Sequence, residues 1–356
     1  MVTIVRESPP RIVVGIDSHK DQHQAAVLGT SGAMLGNRRF TATRRGYSEL
    51  EEWLASLGEI ERIGMECTGS YAAGLTRFFR ERDVEVLEVN ATHRATRARR
   101  GKDDVIDAEM AARKVLSGEA RAQAKDTTGF IESIRLIKLA RESAIKARTT
   151  ALLQIRDVLI TAPGELREHV EAAGGTRHRV NRAGALRPDF EHMDEPLQAA
   201  KFSLRVLSRR VKALDEEIVA MDAQLSRLVN YYAPNLLRCR GIGVQHAAAL
   251  LITAGQNLGR LQNDSAFARL CGVAPIPISS GKTNRMRLHR GGDRQANKTL
   301  HLIAVARLRL DPKTQLYMER RRAEGLSKRD VLRCLKRFIA REVFNALKLD
   351  LLKTDT

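Results

Sequence analysis

The sequence predicts an α/β domain followed by a long-helix region and a mainly helical C-terminal domain. Three observations carry that expectation. β-Branched runs alternate with helix-forming stretches up to about residue 120, apolar residues between 197 and 228 recur at steps of three and four after a first heptad, and helical, strongly basic segments fill the region beyond 233. The expected boundaries are 11–122, 127–232 and 233–350 of the 356 residues.

In the first region, Arg11–Asp17 is a short apolar run ending in an acid, the pattern of a buried strand. Residues 24–28 can pair back on it as a hairpin, and 37–41 supply a third strand. A helix over 47–57, a strand over 60–66 that again ends in an acid, a helix over 72–82 and a strand over 84–89 follow. A further helix starts after Gly101, so the order β-β-β-α-β-α-β-α implies a mixed sheet flanked by helices.

In the middle, Leu197, Leu204, Leu207, Val211, Leu214, Ile218, Met221, Leu225 and Leu228 form a coiled-coil seam. A second long helix spans 131–159, its seam interrupted by Lys138, Arg141 and Arg148. The two helices form an antiparallel hairpin, or the seam pairs with another subunit. Residues 163–196 read as a connecting segment with some helix. Near the C-terminus, helices over 300–310 and 330–349 bury Val331, Leu335, Phe338, Ile339 and Val343.

Charge narrows the partner. Lys plus Arg number 61 against 42 Asp plus Glu, a net charge of +19, and 18 Lys/Arg against 5 Asp/Glu fall between 282 and 341. Such a balance points to a polyanion, most simply nucleic acid. Aromatic residues are only 4%, so contact with backbone phosphate is favoured over stacking of bases along a surface. Cys67, Cys239, Cys271 and Cys334 are scattered, which suggests neither a disulfide framework nor a zinc site. Without a signal peptide or an apolar run of transmembrane length, a cytoplasmic, nucleoid-associated protein with no membrane partner is the expectation.

Four acids stand where chemistry can use them. Asp17 and Glu66 end strands, and Asp104 and Asp107, three apart, share the first turn of a helix. Alone, the pair reads as an acidic turn complementing the helix dipole. Together the four match the demand of hard divalent cations for carboxylate oxygens in phosphoryl transfer. His19 and His23 are read as facing solvent rather than as ligands.

Further along, Gly241-Ile-Gly243 opens a helix and can offer backbone N–H groups to a phosphate, although such short signals also mark plain turns. Gly281-Lys282-Thr283 invites a P-loop reading, but Ile276 stands where that motif needs glycine, so the reading is rejected. Ser279 and Ser280 sit in a Pro/Gly-bounded loop ahead of Lys282, Arg285, Arg287, Arg290 and Arg294. Ser-Ser-Gly is usually a flexible turn. A serine beside converging arginines is also equipped to attack a phosphodiester.

The segments Gly15-Ile-Asp17-Ser-His-Lys, Met65-Glu66-Cys-Thr-Gly-Ser-Tyr and Lys102-Asp-Asp104-Val-Ile-Asp107-Ala resemble, in order and spacing, the D-E-D-D pattern of the IS-one-ten insertion-sequence transposases, relatives of the Piv/MooV DNA invertases. Gly-Val-Ala-Pro275, Ser280-Gly, Arg290-Gly-Gly-Asp293 and Leu300-His-Leu-Ile-Ala resemble that family's C-terminal domain. The resemblance implies a RuvC-like, ribonuclease-H-type first domain in which Asp17, Glu66, Asp104 and Asp107 bind Mg²⁺. It implies Ser280 as the nucleophile, with Ser279 as its neighbouring rival, in a site shared between subunits of a homo-oligomer, a dimer or tetramer. It also implies a structured bridge RNA pairing with donor and target DNA. Asp103 departs from the pattern, where the family more often has Thr. Two other readings fit the residues: a Holliday-junction-type nuclease using water, and a non-enzymatic nucleic-acid-binding scaffold.

Overall fold

The computed structural model describes residues 9–66, 68–89, 103–172, 174–280, 283–289 and 291–351. The chain divides into two compact units, Met1–Ile131 with Ala254–Phe267, and Glu132–Thr253 with Ala268–Thr356.

The first unit is built on a mixed six-stranded sheet. Strands β1 (Arg11–Ser18), β2 (Gln22–Gly29) and β3 (Met34–Thr41) form an antiparallel meander, β4 (Glu59–Met65) and β5 (Val86–Glu88) run parallel to β1, and the short β6 (Ala122–Gln123) closes the edge, in the order β3-β2-β1-β4-β5-β6. Successive strand residues point to opposite faces, and both faces are covered. Ile12, Val14, Ile16, Ile63 and Met65 pack against helices α1 (Arg44–Leu57) and α2 (Ala73–Arg80) through Leu50, Leu54, Leu75 and Phe79. Val13, Leu28, Leu87 and Val89 face α3 (Asp104–Leu116) through Ala111, Ala112 and Val115. This double burial explains why β1 reads as an unbroken apolar run.

Two glycines set how closely α3 lies on that sheet. A Cβ on Gly15 would stand 2.0 Å from the Ala108 carbonyl oxygen, and one on Gly64 would stand 2.5 Å from a Val115 methyl. Residues 254–267 join this unit although they lie far along the sequence. Asn257 donates to the Ala124 carbonyl at 2.9 Å, and its side-chain oxygen accepts from the Asp126 N–H at 2.8 Å.

The long helices of the second unit are α4 (Gly129–Thr161), which belongs to it from Glu132 on, and α7 (Pro196–Tyr232). Arg141 pairs with Asp222 at 2.6 Å and Arg148 pairs with Asp215. One helix advances seven residues as the other retreats seven, so the two run antiparallel within one chain. The arginines that interrupt the apolar seam are therefore its cross-links. Helices α5 (Gly164–Glu171) and α6 (Thr176–Ala185) pack Leu166, Val170 and Val180 against Ile155, Leu159 and Leu204 of this pair.

After α8 (Pro234–Arg238), α9 (Val244–Ala254) and α10 (Asp264–Leu270) come a two-stranded hairpin and three helices, α11 (Arg294–Leu310), α12 (Pro312–Ala323) and α13 (Lys328–Leu351). The hairpin corrects the expected loop: β7 (Pro275–Ser280) pairs antiparallel with β8 (Thr283–Leu288). Pro275 and Pro277 are exposed while Ile276 and Ile278 are half-buried, and a two-stranded ribbon leaves unpaired positions where proline costs no ladder bond. On α13, Val331, Leu335, Ile339 and Val343 are buried as expected, but Phe338 is 48% exposed, one step off the apolar stripe. Buried Asp350 accepts hydrogen bonds from the N–H groups of Asn235 and Leu236 and so caps α8. Among the described residues no helix is long and apolar enough to cross a membrane.

Candidate active site

The site grows from the carboxyl end of β1. Parallel pairing sets Ile16 opposite Met65, which brings the backbone of Asp17 beside that of Glu66, and the Ser18 hydroxyl donates to the Glu66 carbonyl at 3.0 Å. Asp17 and Glu66 lie in register with Gly15 and Gly64, on the face that receives α3. The N-terminal turn of α3 therefore ends over the tips of β1 and β4. Asp103 is the N-cap, its carboxylate accepting the Val105 N–H at 3.0 Å. That role occupies Asp103 and leaves Asp104, not its neighbour, to approach Asp17.

His19 Nε2 lies 3.2 Å from an oxygen of Asp17 and 3.2 Å from an oxygen of Asp104. The second Asp104 oxygen accepts from Arg39 of β3 at 3.3 Å. Asp17, His19 and Asp104 offer ligand atoms that all lie within 4.8 Å of one another. Buried Asp107 sits in the same first helical turn. Burial raises the Asp17 pKa, His19 opposes this, and the charges of Asp104 and Asp107 raise it further. Glu66 is outside the tight group formed by Asp17, His19 and Asp104. The cluster opens on a depression of about 540 Å³ lined also by Lys20, Gln24 and Tyr71.

The two histidines correct the expectation that both face solvent. His19 is half-exposed but ties two carboxylates together. His23 is fully buried against the Tyr47 ring, and burial, with the nearby His19, pushes its pKa down to about 4. It is a neutral core residue.

The second group of sequence candidates lies in the second unit. Ser280 ends β7 opposite Thr283 at the hairpin tip, and Ser279 pairs with Asn284. Arg285 and Arg287 sit on β8, opposite Ile278 and Ile276, and Arg287 is exposed. Lys282 and Arg290 lie outside the described residues. Arg294 is the exposed first residue of α11. Gly241 adopts φ +79°, a left-handed turn that favours glycine, and Gly243 has no neighbour within 4 Å of a built Cβ. The Gly291–Asp293 stretch is a clamp: Gly292, at φ +102°, leaves only 2.7 Å between a built Cβ and the Gly272 nitrogen. Of the cysteines, Cys239, Cys271 and Cys334 are free thiols, and burial pushes Cys239 up to about 11, away from thiolate chemistry.

The DEDD transposase model of the IS110 family matches residues 14–162, and the transposase model of the IS116/IS110/IS902 family matches residues 233–319. The chain belongs to the IS110 family of transposases. Two insertion-element proteins are similar over 122 residues: the IS110 uncharacterized 43.6 kDa protein of Streptomyces coelicolor, 33% identical, and the IS900 uncharacterized 42 kDa protein of Mycobacterium paratuberculosis, 30% identical. The matched stretch is 33% of this chain and covers 30% and 31% of those relatives.

In this IS110-family chain the sequence reading missed His19, Arg39, Gly15 and Gly64. His19 carries a usable signal, since a residue two beyond Asp17 on an extended chain returns to the same face. Arg39 carries none, because strand pairing alone brings it near.

Proposed function

We propose that this chain is a DNA transposase that cleaves and rejoins donor and target DNA, with a RuvC-like, ribonuclease-H-type first unit holding Mg²⁺ and Ser280 as nucleophile. The observation that carries the reading is the approach of Asp17 and Asp104 to one His19 nitrogen, at 3.2 Å each, with buried Asp107 in the same first turn of α3 as Asp104. Clustered carboxylates at a helix start repel one another, and a hard cation relieves that repulsion. Asp17, Glu66, Asp104 and Asp107 would hold the ion. When bound there, Mg²⁺ supplies charge neutralisation at the scissile phosphate. Arg39 offsets part of the Asp104 charge, and His19 keeps the two carboxylates together without the ion.

On the hairpin, the Ser280 hydroxyl oxygen forms a bond to phosphorus as the bond to the leaving deoxyribose oxygen breaks. The serine proton passes to solvent, and the leaving oxygen takes one from it. Reversal of that step with a different DNA end rejoins the strand. Arginines of the hairpin and α11, among them Arg285, Arg287 and Arg294, position the phosphodiester backbone, and the Gly241–Gly243 turn offers N–H groups to a further phosphate. The strong basic excess and the family resemblance support a structured bridge RNA as guide. The working form is a homo-oligomer, dimer or tetramer, acting in the cytoplasm at the nucleoid.

Full-length protein, given the flanking noncoding RNA and DNA carrying the element ends, tests this. Ser280→Ala is expected to lose both the covalent protein–DNA adduct and strand exchange while still binding DNA, whereas Ser279→Ala keeps them. Continued cutting by Ser280→Ala would instead identify water as the nucleophile and a nuclease as the enzyme. Asp17→Asn is expected to abolish all Mg²⁺-dependent cleavage.

A further inference from the structure

Between the base of the serine hairpin and helices α12 and α13 lies a groove of about 790 Å³. Its apolar lining includes Pro275, Met286, Tyr317 and Phe338, and its rim carries Arg287, Arg320, Arg321, Arg333 and Arg337. Asp330 is the acid that lines it, and it is already engaged by Arg333 at 2.7 Å and by the Ser327 hydroxyl. Arg321 is held by Glu324, which also lies 3.8 Å from Arg320, and Arg287 and Arg320 are both exposed. Tyr317 and Phe338 meet edge to face at 5.8 Å, with Arg320 over the Tyr317 ring at 5.5 Å and Arg341 over the Phe338 ring at 5.7 Å. Met286 is 67% and Phe338 48% exposed.

We infer that this groove receives an unpaired nucleotide of the DNA strand, its base against Phe338 and Tyr317 and its phosphate against Arg287 and Arg320. Three features favour that occupant. The volume falls in the range of small-ligand sites, which run from about 300 to 1,000 Å³. An exposed Phe338 ring and a half-buried Tyr317 ring stand beside guanidinium groups, the pairing single-stranded nucleic acid uses, base on ring and phosphate on cation. The groove also shares Pro275, Met286 and Arg287 with the hairpin whose far end is Ser280, roughly 16 Å away at about 3.3 Å per strand residue. A strand leaving a phosphate at Ser280 can run down the ribbon and lodge a base there. A second copy of the chain is the poorer fit, because a related groove would set arginine against arginine. The inference rests on the DNA-acting reading above, but not on which group is the nucleophile.

The test uses the full chain in EDTA, so that binding is read without cleavage. A short single-stranded DNA with one fluorescent purine analogue is titrated, alongside its duplex and the RNA of the same sequence. Quenching of the analogue on binding is expected. Phe338→Ser and Tyr317→Ser should each weaken single-stranded binding about tenfold. An abasic site in place of the analogue should weaken binding to the unaltered protein similarly, while duplex affinity changes less than about twofold. Phe338 is exposed, so its variant should keep the native melting profile. A native-like Phe338→Ser protein with unchanged single-stranded affinity would overturn the inference. So would tight binding confined to the RNA, or a change of oligomeric state in sedimentation with DNA affinity intact. If the duplex fails to bind the unaltered protein while single strands still do, the transposase reading falls and the groove stands.

Discussion

Gly15 and Ala108 leave no room between them: a side-chain carbon on Gly15 would sit 2.0 Å from the Ala108 carbonyl oxygen and 2.3 Å from the Ala112 nitrogen. Backbone rather than a flexible side chain meets it, so Gly15→Ala must push α3 off the sheet. Overpacking of this kind costs about 1–3 kcal/mol. The same displacement carries Asp104 and Asp107 away from Asp17. Urea denaturation should show the loss, and Mn²⁺ or Mg²⁺ titration calorimetry should show affinity falling by tenfold or more. Gly164→Ala, where nothing lies within 4 Å of the added carbon, should stay within about 0.5 kcal/mol of the parent.

Asp17 should behave as a residue retained against stability. Its folded pKa is raised by burial first and by Asp104 and Asp107 next, with His19 opposing. A carboxyl whose pKa is higher folded than unfolded favours folding when protonated, and that contribution is lost as pH rises through the folded value. At neutral pH the ionised group therefore costs stability in the metal-free protein. Asp17→Asn should raise the melting point of the metal-free protein, by an amount equivalent to about 0.5–2 kcal/mol. Added Mg²⁺ should raise the melting point of the parent and leave that of the variant unchanged. A variant that melts lower than the parent in EDTA, with Mg²⁺ still stabilising it, would remove Asp17 from the site.

Much of this architecture is legible in the sequence because periodicity reports burial. The β1 run, the acids closing β1 and β4, and the α3 start are local signals, and each appears as a strand end or a helix turn. What escapes is what two distant segments make together. Gly15 and Gly64 look like ordinary strand glycines until α3 lies on them. Asn257 has no pattern at all, yet it bonds both sides of Ala124–Asp126. The β7–β8 hairpin is hidden because its prolines read as breakers, and they are tolerated only because the ribbon has two edges. Phe338 misleads for the opposite reason, being apolar at a position one step off the buried stripe.

The antiparallel pairing of α4 and α7 predicts a specific coupling. Arg148 and Asp215 are each about a third to a half exposed, so their double-mutant cycle should yield only about 0.5 kcal/mol. Arg141 is 16% exposed, and Asp222 also accepts from the Gln245 side chain at 2.6 Å. Asp222→Ala leaves two donors unpaired and should cost about 1–2 kcal/mol. Because these bonds lie within one chain, both effects should be independent of protein concentration. Concentration dependence on dilution would move the seam to a subunit interface.

Asp293 ties the Gly291-Gly-Asp293 turn to the helix that follows. One carboxylate oxygen accepts from the Gln295 N–H at 2.8 Å and the Ala296 N–H at 3.1 Å, and the other accepts from the Thr253 hydroxyl at 2.9 Å. Loss of an N-cap costs about 0.5–2 kcal/mol, and here the Thr253 partner goes with it. Asp293→Ala should therefore lie at the upper end of that range, with Asp293→Asn recovering part, since an amide oxygen still accepts from the helix. Hydrogen exchange should localise the change to the first turn of α11, with Gln295 and Ala296 exchanging faster. DNA affinity should fall only as far as Arg294, carried on that turn, loses its place. An Asp293→Ala protein with unchanged exchange at Gln295 and Ala296 but no strand-transfer activity would instead make Asp293 a participant in the chemistry.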